Sequence, residues 1–115
     1  MNDLTTICNS FVTAETTVIA ATLLKTFRAI TPQFYQRLTR EQTETQLKGI
    51  ELQIKNIPPE VLSKMFELAV NEYPRERSRN PQTYFDLNYY LTFYTGAKFE
   101  VEYGNPYTNL DEIVF

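Results

Sequence analysis

The sequence predicts a mainly α fold, a single-domain bundle of four to five helices with a short β-prone C-terminal hairpin or tail. Three observations carry that expectation. Apolar residues recur at three- and four-residue spacing through most of the chain. Proline, threonine or asparagine stands where each such stretch would start or stop. The alternating pattern of a strand appears near the end, at residues 98–103. On this reading residues 1–96 form the helical domain and residues 97–115 an extended or β tail packed on it. A chain of 115 residues suits one core, and 43% hydrophobic with 14% aromatic residues is enough apolar surface to order it.

Within the first twelve residues, Leu4, Ile7, Phe11 and Val12 suit either a short helix or an arm docking on a neighbour. Thr13 can then cap a helix over residues 14–29, with Glu15 near its positive end and Ile19, Leu23, Phe27 and Ile30 in an apolar line. Thr31-Pro32 reads as a stop followed by a start, opening a short piece to Leu38 that presents Phe34 and Tyr35. Thr39 and Gln42 have capping-box spacing and open a helix over residues 40–55. Its apolar seam, Leu47, Ile50 and Ile54, is narrow, with Leu52 off the line. Gln42, Thr43, Thr45, Gln46 and Gln53 leave an uncharged polar face, either solvated or a partner-binding surface.

Pro58-Pro59-Glu60 closes that helix and starts the next, which carries Leu62, Met65, Phe66, Ala69 and Tyr73 and is expected to end at Pro74. Asn80-Pro81 repeats the cap-plus-proline start. Tyr84, Leu87, Leu91 and Tyr94 follow at helical spacing, giving a helix to about residue 93 with Gly96 as its C-terminal cap. Residues 89–95 also have the β-branched and aromatic content of a strand. Residues 98–103 alternate apolar and charged, residues 104–109 are turn-like, and Ile113-Val114-Phe115 would return as a second strand.

Composition narrows the function. There is no histidine, Cys8 is the single cysteine, and Ser10, Ser63 and Ser78 therefore lack the usual activating partner. Gly49, Gly96 and Gly104 are scattered, so no glycine-rich phosphate loop is present. No catalytic residue, metal ligand or cofactor is expected, and the chain is read as a non-enzyme. A lone cysteine and the lack of a basic-then-apolar leader point to the cytoplasm and away from a membrane.

Eleven basic against fourteen acidic residues give a net charge of −3, so any nucleic-acid contact must be local. The charge is uneven. Residues 73–80 hold Arg75, Arg77 and Arg79 against Glu76, whereas residues 81–115 hold Asp86, Glu100, Glu102, Asp111 and Glu112 against Lys98. An arginine-studded turn between two helices can grip phosphate or carboxylate in bidentate fashion, or serve as a solvated turn whose stems cover Tyr73 or Tyr84. Glu100, Glu102, Asp111 and Glu112, set among Tyr103, Tyr107 and Phe115, offer an acidic and aromatic surface to a basic groove, or simply a solvated strand face. The candidate partner-binding residues are Arg75, Arg77, Arg79, Tyr84, Glu100, Glu102, Tyr103, Asp111 and Glu112.

Residues 49–87 carry a helix, the step Ile57-Pro58-Pro59-Glu60, an amphipathic helix, the turn Arg75 to Arg79, and Asn80-Pro81-Gln82-Thr83-Tyr84-Phe85. This order resembles the small helical domain of phage replication proteins that load or inhibit replicative helicases. With no room in 115 residues for a nucleotide-binding domain, the resemblance implies a helical adaptor acting through contacts. The expected function is that of a phage- or plasmid-type accessory protein that binds and modulates a larger nucleic-acid-processing machine, such as a replicative helicase. The competing readings are a stand-alone inhibitor, of anti-CRISPR or other host-takeover type, that blocks a basic nucleic-acid groove with its acidic surface, and weak direct DNA or RNA binding through the arginine turn. The partner is a larger protein or nucleoprotein complex of helicase or CRISPR-effector type.

Overall fold

Pro58-Pro59-Glu60 starts a helix as expected, but Pro74 does not stop it. In the computed structural model, which describes residues 3–32 and 38–104, this helix runs Pro59–Arg79 and is the element on which most others pack. The described residues form six helices: α1 (Asp3–Phe11), α2 (Thr16–Ile30), α3 (Arg40–Ile54), α4 (Pro59–Arg79), α5 (Leu87–Leu91) and α6 (Tyr94–Tyr103). The fold is mainly helical, and no strand occurs among the described residues.

Helix α4 buries Val61, Leu62, Met65, Phe66, Ala69 and Tyr73, a stripe that meets α1, α5 and α6. A proline inside a helix removes one backbone bond and clashes with the carbonyl four residues back, at a cost of about 3 kcal/mol. Here the ring of Pro74 faces solvent while the residue before it is anchored. Tyr73 is buried, its hydroxyl donates to the Thr83 carbonyl at 2.7 Å, and Arg77 Nη1 donates to that hydroxyl at 3.3 Å. The last turns are thus held from both sides of the proline, so tertiary contacts override the local stop signal.

The opening residues resolve as a docked helix. Phe11 meets Phe66 edge-on at 5.3 Å, and the Ser63 hydroxyl donates to the Cys8 carbonyl at 2.8 Å, fixing α1 to α4. Helix α2 starts two residues later than the sequence suggests: Glu15 stands at the N-cap in place of Thr13 and makes no side-chain cap bond. Its stripe, Ile19, Ala20, Leu23, Leu24 and Phe27, is buried, and Thr22 and Thr26 satisfy their hydroxyls on carbonyls one turn back. At its end Thr31 is fully buried, with its hydroxyl 3.0 Å from the Phe27 carbonyl and 3.3 Å from that of Phe85.

Helix α3 opens with the expected capping box. Thr39 N donates to Gln42 Oε1 at 2.9 Å and Gln42 N to Thr39 Oγ1 at 3.1 Å. It packs on α2 through Ile50 and Ile54 and leaves Leu52 64% exposed. The short piece expected over residues 32–38 falls mostly outside the described residues.

Two expectations near the C-terminus are corrected. Asn80-Pro81 does not begin a helix, because the Asn80 side chain accepts from Gln82 N at 3.1 Å and closes a turn instead. Helix α5 begins only at Leu87, capped by Asp86, whose Oδ1 accepts from Tyr89 N at 2.9 Å. Residues 98–103 are not a strand: they belong to α6, which buries Ala97 against α4 and places Gly96 in its first turn, not at a cap. Alternation fails as a guide because Phe99, Val101 and Tyr103 are all exposed and so share no buried face. The left-handed position is Gly104, with φ 82°, where the helix ends. The turn at 105–109 and the returning strand at 113–115 lie outside the described residues.

Phe27, Tyr73, Phe85 and Tyr89 join the elements in a chain of tilted and edge-on ring contacts. Phe85 centres it, at 5.7 Å from Phe27, 5.2 Å from Tyr73 and 5.4 Å from Tyr89. Tyr90, fully buried, lies 6.4 Å from Phe27 and donates its hydroxyl to the Leu62 carbonyl at 2.7 Å.

Candidate interaction surface

Arg75, Arg77 and Arg79 sit on the last turns of α4, not in a turn between helices. That placement decides their electrostatics. Residues three apart on a helix are neighbours, and Glu72 and Glu76 stand at that spacing. Arg75 Nε lies 3.9 Å from Glu72, and Arg79 Nη2 lies 3.5 Å from Glu72 and 3.1 Å from Glu76. Arg77 turns to the Tyr73 hydroxyl. All three are engaged within their own helix. Tyr84 sits in the loop between α4 and α5 and is 37% exposed.

The acidic candidates divide. Glu102 and Tyr103 are exposed on α6, and Phe99 meets Tyr103 in a tilted ring contact with centroids 5.1 Å apart. Glu100 turns inward: its Oε2 is buried and has no hydrogen-bond partner among the described residues. It faces Lys64, whose ammonium is already bonded to Glu67 at 2.7 Å. That bond holds the Lys64 pKa above the ordinary lysine value, with the charges of Glu67 and Glu100 adding to the effect and burial opposing it. Lys64 and Arg75 are eleven residues apart on α4, roughly 16 Å along the axis. The arginine group and Glu100 therefore do not form one site. Asp111 and Glu112 lie outside the described residues.

The remaining reactive groups have structural settings. Cys8 is buried, which pushes its thiol pKa up, and the nearby Glu67 pushes it further. Burial likewise raises the phenol pKa of Tyr90, and raises that of Tyr89 to about 12 with Glu72 and Glu76 contributing. Among the described residues no group of three His, Cys, Asp or Glu is placed to hold a metal ion, and no helix is long and apolar enough to cross a membrane.

Sequence reasoning passes over one further region. A cleft of about 440 Å³ opens where the start of α2 meets the end of α3, lined by Thr16, Lys48, Glu51, Leu52 and Lys55. The signal for it is present in the chain: Leu52 is the apolar residue off the α3 seam, with a lysine four residues before it and another three after. A smaller groove of about 290 Å³ crosses the polar face of α3 at Gly49, between Gln46 and Gln53, over Phe27, Ile50 and Leu87.

No family model matches this chain, and no curated protein or solved structure is significantly similar to it.

Proposed function

We propose that this chain is a non-enzymatic accessory protein that binds and modulates a larger nucleic-acid-processing machine of phage or plasmid type, such as a replicative helicase. The observation that supports this reading best is the outer face of α6. There Phe99 is 48% and Tyr103 64% exposed, in tilted ring contact with each other beside the exposed Glu102. Amphipathic aromatic area of this kind is what protein interfaces draw on for affinity. Affinity capture from the native host tests the reading. Retention of a hexameric ATPase by the native protein, lost on Phe99→Ala with Glu102→Lys, is the expected result. Retention unaffected by those changes, or of nothing that handles nucleic acid, would remove it.

A second reading draws on the same face: an inhibitor of anti-CRISPR or other host-takeover type that lays Glu102 and the two rings into a basic groove. It requires competition with nucleic acid for the target, which an adaptor does not. Direct nucleic-acid binding through Arg75, Arg77 and Arg79 gains no support from cations already facing Glu72, Glu76 and Tyr73.

A further inference from the structure

The cleft between α2 and α3 differs from the arginine group in the state of its charges. Neither Lys48 nor Lys55 has a carboxylate within ion-pair distance among the described residues. Glu51 is the one carboxylate among the lining residues, so the cleft keeps one positive charge in excess. Between the lysines Leu52 is 64% exposed, and Thr16 places the amino-terminal end of α2 at the cleft. The cap residue there, Glu15, makes no side-chain hydrogen bond, and its carboxylate already stands at the partial positive charge of that helix end, so the free cations of the cleft are the two lysines.

We propose that this cleft is a docking site for an acidic amphipathic helix of a partner protein. An apolar side chain of that helix packs against Leu52, and carboxylates spaced about two turns apart, roughly 10 Å, meet Lys48 and Lys55. Charge complementarity selects this occupant. A basic segment would meet two ammoniums against the single carboxylate of Glu51, and an apolar segment without acids would leave both lysines unpaired at the rim of the contact. The inference goes beyond the functional reading above and uses a different face of the molecule.

A synthetic helical peptide of about 15 residues tests it, with leucines on one face and two glutamates seven residues apart. The probe is titrated into the isotopically labelled full chain, so the result is read whether or not any nucleic-acid machine is captured from a host. Amide shifts centred on Thr16 and residues 48–55 are expected. Affinity should fall about tenfold when Lys48→Glu and Lys55→Glu are combined, consistent with reversing two exposed ion pairs. A peptide carrying lysines in place of its glutamates should recover binding to that double variant. Shifts elsewhere, no shifts, or affinity indifferent to the charge reversal would overturn the proposal. So would self-association of the unmixed protein through the same amides, since a second copy would then be the occupant. Duplex DNA that perturbs these amides equally in Leu52→Asp would likewise replace the helix with a plain cation surface.

Discussion

Two basic regions of this molecule differ in what they offer, and the one with fewer cations offers more. The end of α4 carries three arginines, yet Glu72, Glu76 and the Tyr73 hydroxyl already occupy them. The α2–α3 cleft carries two lysines, and neither is occupied. Spacing alone does not decide this, since Glu51 stands three residues after Lys48 and four before Lys55 yet pairs with neither, whereas Glu72 and Glu76 at the same kind of spacing reach Arg75 and Arg79. A cation's availability follows from which neighbouring acid the folded side chains actually bring within reach.

The strongest way to break the contrast is to unseat the arginine-bearing end. Phe85→Ala removes the ring that Tyr73, Tyr89 and Phe27 share, and is expected to cost about 3–5 kcal/mol in chemical denaturation. A loss below about 1 kcal/mol would mean that the aromatic chain is not what holds α4 beyond Pro74. Tyr73→Phe is a finer cut. It deletes only the hydroxyl between Arg77 and the Thr83 carbonyl and should cost roughly 1 kcal/mol, with faster amide exchange confined to the last turns of α4.

Replacing Glu72 and Glu76 together by Gln should change stability by less than about 1 kcal/mol, because the pairs are exposed, while frank retention on heparin appears as the arginines are released. Unchanged retention would show that the acids do not mask them. Raising the pH acts on the same end. Burial lifts the Tyr89 phenol from 10.0 to about 12, so the folded chain holds that proton more tightly than the unfolded one. Its stabilising contribution is complete below pH 10 and is lost as pH climbs from 10 toward 12. The melting temperature should decline over that window, and less steeply in Tyr89→Phe. The smallest effect belongs to the cleft: Leu52→Ala should leave stability within about 0.5 kcal/mol, since the side chain is mostly in water.

Local chemistry made much of the fold legible. Thr39 and Gln42 cap α3 as their spacing says, and the stripes of α2 and α4 are buried where the periodicity places them. Illegible features are those where a distant contact outweighs a local rule. Pro74 is carried through by a tyrosine bonded ten residues downstream, and Asn80 spends its side chain on a turn that displaces the helix start to Asp86. The alternation at 98–103 misleads because Phe99 and Tyr103 are also one helical turn apart, a spacing equally compatible with α6. Among the candidate residues, the arginines read in sequence as a positive excess over Glu76 alone, because a window opening at Tyr73 stops one residue short of Glu72, and a turn in place of a helix hides the three-residue spacing that pairs them. The lysines around Leu52 were visible in the chain, but their freedom from partners is a property of the folded arrangement alone.

Burial of Tyr90 against the Leu62 carbonyl has a practical corollary. With no tryptophan in the chain, ultraviolet absorption comes from tyrosine and phenylalanine, and one phenol sits at the centre, shielded from solvent. In alkali this chromophore should stay neutral while its surface counterparts turn to phenolate, then ionise abruptly when the helices part. Spectrophotometric titration of the native sequence therefore reports collapse of the interior without any label attached.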